Sequence, residues 1–100
     1  MRLKESPPVG SVVLSKAGRD AGEHFIVVGV ADEQYVLIAD GAARKAQHPK
    51  RKKIKHLDGR GVVAREIAAK INENRCVLDA DLRTALKALG YKTETDMKEG

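Results

Sequence analysis

The sequence predicts a mainly β domain with an α-helical end: a small, strongly curved sheet or barrel followed by two short helices. Three observations predict it. Apolar residues alternate at period two in closely spaced segments between Val9 and Leu57. Short stretches rich in Gly, Asp and Pro separate those segments. Beyond Gly61 the apolar period becomes that of an amphipathic helix.

In chain order, residues 1–8 read as an arm ending in Pro7-Pro8. Val9 to Ser15 reads as a strand centred on Val12, Val13 and Leu14. Residues 16–23 form a loop holding Gly18 and Gly22. His24 to Ala31 is the clearest strand. It places Ile26, Val28 and Val30 on one face and Phe25 and Val27 on the other, so both faces require cover. Gly29 marks a bulge or a close backbone approach. Ala31 to Gln34 forms a turn, Tyr35 to Ala39 a third strand, and Asp40-Gly41 ends it. A basic connection, 42–49, leads to a fourth strand over Lys52 to Leu57, with Ile54 inward, Lys53 and Lys55 outward, and a twist near His56. Asp58-Gly59-Arg60-Gly61 reads as a flexible junction.

Val63, Ala64, Ile67, Ala68 and Ile71 form the stripe of a first helix, ended by Asn72-Glu73-Asn74. Asp79 is the expected N-cap of a second helix, with Asp81 in its first turn and Gly90 past its end. Its stripe is Leu82, Ala85, Leu86 and Leu89. The expected organisation is therefore an arm (1–8), a β unit (9–57), a junction (58–61), a helical extension (62–92) and a tail (93–100).

One hundred residues make one domain with a modest core. No apolar run approaches the roughly 18–20 residues of a membrane helix, and the first residues lack the apolar core of a secretory signal. Cys76 is the only cysteine, which excludes an internal disulfide and fits a reducing compartment, so a cytoplasmic location is expected. It reads as a small buried thiol. Phe25, Tyr35 and Tyr91 are the only aromatic residues. Single-strand binders that stack bases, proline-rich peptide readers and methyl-lysine cages all need more rings than this.

Charge is the strongest functional signal. Between Gly41 and Arg60 lie eight Lys/Arg and one acid, a window of +7 in a chain of +5. The remainder is slightly acidic, so the basicity is a local patch. Five of the seven residues from Pro49 to Lys55 are cations. Such a patch attracts a polyanion, most commonly nucleic acid. A solvated charged face, a nuclear import signal and an anionic membrane surface are the competing readings. The run lies inside a predicted fold and no lipidation motif accompanies it, which disfavours the last two. With few rings for stacking, recognition is expected to read phosphate backbone and shape, as for folded RNA.

The stretch Gly10 to Gly22, followed by Ile26-Val27-Val28-Gly29-Val30, resembles a KOW motif: strand, glycine-spaced loop, second strand. It is similar to KOW-containing large-subunit ribosomal proteins of archaea and eukaryotes and to short bacterial KOW-domain proteins. Their third strand is likewise followed by an Asp-Gly turn and a basic segment. Covering residues 9–57, the resemblance implies a five-stranded SH3-like barrel that binds structured ribosomal RNA. It places the binding loop on Lys16, Ala17, Gly18, Arg19 and Asp20. Four strands are legible; a short strand at Cys76 to Leu78 is a candidate fifth.

The candidate RNA-binding residues are Lys16, Gly18, Arg19, Arg44, Lys45, Lys50, Arg51, Lys52, Lys53 and Lys55. Lys50 to Lys53 are expected to be exposed. His24, His48 and His56 lack metal-site spacing, and no paired carboxylates, Walker-type loop or Ser-His-Asp arrangement occurs. The expectation is a monomeric, non-enzymatic RNA-binding protein of the ribosome or translation, without cofactor, metal, membrane or small-molecule substrate. The rival is a protein-interaction module of transcription or translation, with the basic run secondary.

Overall fold

The computed structural model describes residues 7–91. The expected arm and tail lie, apart from Pro7 and Pro8, outside these residues. Five antiparallel strands are followed by two helices: β1 (Ser11–Ser15), β2 (His24–Val30), β3 (Tyr35–Ala39), β4 (Lys50–Lys53), β5 (Leu57–Val63), α1 (Arg65–Asn72) and α2 (Asp79–Ala88). The sheet order is β4-β3-β2-β1-β5. The fold is mainly β with α, as the sequence predicts.

The two edge strands are neighbours in sequence. Only a 3₁₀ turn, Ile54–His56, joins β4 to β5. At about 4.8 Å per strand, the edges of a flat five-stranded sheet lie about 19 Å apart. The link from Lys53 to Leu57 reaches at most about 14 Å. The sheet must therefore curl. Ile54 and Leu57 fill the inside of the curl with Val13, Phe25, Val27, Val36 and Ile38, all buried. The 3₁₀ turn falls where the twist near His56 is expected.

The other face carries a second core. Val12, Ile26 and Ala39 alternate with the residues of the first core and pack against Ala64, Ile67, Leu82 and Leu86. The helices thus cover the outer face of the sheet, as the two-faced β2 requires. A register shift between Val27 and Gly29 makes the expected bulge.

Several boundaries differ from the sequence reading. The fifth strand is not at 76–78; it runs through the supposed junction at 58–61 and ends at Val63. That stretch has no apolar alternation because β5 is an edge strand, joined to β1 by backbone pairing, with Gly59, Arg60 and Gly61 exposed. The fourth strand starts at Lys50 rather than Lys52. Val63 belongs to β5 and is exposed, so it leaves the helical stripe. Cys76 is exposed, not buried. Leu78, not Asp79, is the N-cap of α2. Asp81 accepts the Leu78 N–H at 2.9 Å and the Lys70 ammonium at 2.8 Å. Lys70, then the Leu78 N–H, hold the Asp81 carboxyl below its usual range. No helix among the described residues is long and apolar enough to cross a membrane.

Gly41, just past β3, lies in close contact with the start of α2. Its φ is +81°, and a Cβ there would collide with the Asp79 carbonyl oxygen. Gly22 has φ +89° with open space around it. Gly22→Ala should therefore cost only the left-handed strain, about 1–2 kcal/mol, and Gly41→Ala distinctly more. Urea unfolding of the two variants compares them directly.

His24 supplies a pH test. Its ring lies 4.5 Å from that of Tyr91. Burial and the nearby Arg60 guanidinium lower its pKa, with Glu23 opposing. The unfolded chain then binds the proton more readily, so stability should fall as pH drops below about 6.5. His24→Gln should flatten that part of the stability profile, measured by thermal melting between pH 7.5 and 5.5.

Candidate nucleic-acid interface

The candidate residues come from three segments: the β1–β2 loop, the β3–β4 connection, and β4 with its 3₁₀ turn. The loop is shaped by backbone bonds from Gly22 N–H to Ser15 and from Ala21 N–H to Gly18. Gly18 takes φ +80°. Three contacts tie the loop to the basic segment. The Lys16 N–H donates to His56 O at 2.8 Å. Lys52 Nζ donates to Ala17 O at 2.8 Å. Arg44 Nη2 pairs with Asp20 Oδ2 at 2.9 Å. Segments more than twenty residues apart thus form one surface at one end of the sheet.

These contacts sort the cations. Lys52 is only 8% exposed, which corrects the expectation that Lys50 to Lys53 are all exposed. Val36, its partner across the β3–β4 ladder, belongs to the inner core, so Lys52 leaves the strand on that side and runs under the loop. Its ammonium lies where a Cβ on Gly18 would come within 3.2 Å. Lys52 is therefore a strut of the loop. Arg44 is likewise committed to Asp20, whose side chain is almost buried. Lys16, Arg19, Lys45, Lys50 and Lys55 are exposed, and Lys53 is half-buried. No ion pair to these six is formed among the described residues.

The connection carrying Lys45 is held from two sides. Asp40 accepts the Ala42 and Arg44 N–H groups at 2.9 and 2.8 Å. Asp79, at the start of α2, accepts the Ala46 N–H at 2.6 Å, and Arg83 donates to the Gly41 carbonyl. The helical extension therefore positions the basic connection, a role the sequence reading did not give it. Nothing in sequence spacing marks a carboxylate 33 residues away as the anchor of Ala46.

At the β4 edge, Arg51 lies over the Tyr35 ring, with Cζ 4.0 Å from its centroid. It also pairs with Asp32 at 2.9 Å. Asp32 accepts the N–H groups of Gln34 and Tyr35 in the β2–β3 turn. The Gln34 N–H first, then the Arg51 guanidinium and the Tyr35 N–H, hold its carboxyl below the usual range. The sequence reading missed this cluster, although Tyr35 and Arg51 were both in view.

No protein-family model matches the chain. Chemically, the surface offers ammonium and guanidinium donors in a shallow array. Among the described residues, no three His, Cys, Asp or Glu side chains come together as metal ligands would.

The two roles among the basic residues are separable. Lys52→Met should cost about 1–3 kcal/mol, because the Ala17 carbonyl loses a charged donor. Lys50→Met, at an exposed position, should change stability by less than about 0.5 kcal/mol. Parallel denaturant titrations would show the difference.

Proposed function

We propose that this protein is a non-enzymatic RNA-binding protein of the cytoplasm. Its ligand is structured RNA, ribosomal RNA in the first place, and its setting is the ribosome or translation. One observation carries the reading: six cations without ion pairs among the described residues, Lys16, Arg19, Lys45, Lys50, Lys53 and Lys55, lie on three segments that the Lys16–His56, Lys52–Ala17 and Arg44–Asp20 contacts tie together, in a chain that is otherwise slightly acidic. A diffuse surface charge would only aid solubility; a concentrated one attracts a polyanion. The resemblance of residues 9–57 to KOW proteins supports the same reading, since it assigns Lys16, Gly18 and Arg19 to the binding loop.

In this proposal the parts have distinct tasks. The exposed cations contact phosphates. Lys52 and the Arg44–Asp20 pair hold the loop against β4 so that the cations present a fixed spacing. Gly18 supplies the left-handed backbone at the loop tip. The curled sheet is the rigid platform, and α2 steadies the β3–β4 connection from behind.

The rival, a protein-docking module, draws on a different surface. A largely apolar groove of about 380 Å³ between the start of α1 and the end of α2 is lined by Val63, Ala64, Ala85, Ala88 and Leu89 together with Arg65 and Glu66. It lies on the helical side, away from the basic array.

Affinity for a folded RNA, titrated by fluorescence anisotropy at several potassium concentrations, tests the proposal. With about five phosphate contacts, log affinity should fall with log salt at a slope of roughly −3.5 to −4.5. Replacing Lys16, Arg19, Lys50 and Lys55 by Gln should reduce that slope by about 3. A slope near zero in the unaltered protein would remove the phosphate mechanism.

A further inference from the structure

Resting on the RNA reading, we infer that the Tyr35–Arg51 pair at the β4 edge is a stacking site for one unpaired nucleobase. The protein then takes folded RNA that carries a bulged or looped-out nucleotide beside a helix.

The argument begins with position. Tyr35 faces Lys53 and Leu37 faces Arg51 across the β3–β4 ladder, so Tyr35 and Arg51 are diagonal neighbours on the outward face. Arg51 is fixed on two sides. Its Cζ sits 4.0 Å above the Tyr35 ring, and its Nη2 is 2.9 Å from Asp32 Oδ2. Asp32 is itself held by two backbone N–H groups. A guanidinium is planar, so these anchors set a flat group in place before any ligand arrives.

Arg51 offers a face as well as an edge. A phosphate engages a guanidinium along its N–H edge, and Asp32 already occupies part of that edge. The Arg51 side chain nevertheless remains 57% exposed. β4 is the outermost strand of the sheet, so no further strand covers it. A half-covered planar cation on an aromatic ring fits a further planar π system, and nucleobases stack on Arg planes and aromatic rings alike. Bases within a duplex have no free face, which selects an unpaired one. Lys53 Nζ, 5.9 Å from the Tyr35 centroid, lies beside the pair and suits a phosphate next to that nucleotide.

The test compares two RNA hairpins of equal stem length, both closed by a non-nucleotide linker so that no loop base is unpaired, one fully paired and one with a single bulged 2-aminopurine. The protein should bind the bulged hairpin about tenfold more tightly, the increment of one stacked base, and should quench its fluorescence. Arg51→Lys keeps the charge and removes the plane. It should bring the two hairpins within twofold of each other and abolish the quenching, with little change in affinity for the paired one. Tyr35→Leu should do the same. Lys55→Gln should weaken both hairpins equally. Equal affinity of the unaltered protein for the two hairpins would overturn the stacking site while leaving RNA binding intact. Discrimination that survives Arg51→Lys would overturn it as well. Failure to bind either hairpin would remove the RNA reading and this inference with it.

Discussion

Three residues between β4 and β5 impose the constraint on which the molecule depends. They connect the two edges of a five-stranded sheet, and a flat sheet cannot meet that distance. The curl that results creates an inside and an outside. The inside is filled by Phe25 and its aliphatic neighbours, closed by Ile54 and Leu57 from the link itself. The outside is left with an equally apolar face, because β1, β2 and β3 alternate Val12, Ile26 and Ala39 with the inward residues. A sheet this small buries too little on one side alone. Ile67, Leu82 and Leu86 supply the second layer, so the helices belong to the fold.

The same curl decides the electrostatics. It brings the β1–β2 loop against β4 and the 3₁₀ turn, where Lys52, Arg44 and the Lys16 N–H each find a loop or turn acceptor. Two cations of the basic run are thereby spent on architecture. Placing Lys52 almost out of water is tolerable because its head group reaches a carbonyl and its stem lies along the inner core. The backbone that carries the remaining cations is held by this frame. The contacts of Asp79 and Arg83 extend the frame through α2 to the β3–β4 connection.

Much of the fold was legible in the residues themselves. Period-two alternation located β1, β2 and β3, turn residues located the Asp32 and Asp40 turns, and Gly29 marked a bulge or a close backbone approach, because each is governed by neighbours within a few positions. The period change after Gly61 announced the helices. The cations Lys45, Lys50, Lys53 and Lys55 were equally visible as a charge cluster, and Lys16 and Arg19 as the flanks of the glycine loop that resembles a KOW motif. β5 was not, since an edge strand held by its backbone leaves no apolar signature in Asp58-Gly59-Arg60-Gly61. Nor was the cap of α2, where the N-cap backbone is served by Asp81 rather than by its own side chain.

By itself the sequence determined the class of the fold, its two-faced sheet, its helical end and the sign and place of its charge, all properties of local pattern and composition. Only the tertiary structure decided which cations are struts and which are presented, because Lys50 and Lys52 share one side of β4, opposite Ile38 and Val36, and only Lys52 reaches the Ala17 carbonyl of the loop. It also decided that Arg51 rests on Tyr35 and Asp32, a cluster assembled from a turn, a strand and the edge beside it. Contacts between segments sixteen to thirty-five residues apart depend on how the sheet curls, and the curl follows from a short link meeting a long distance rather than from any residue's own preference.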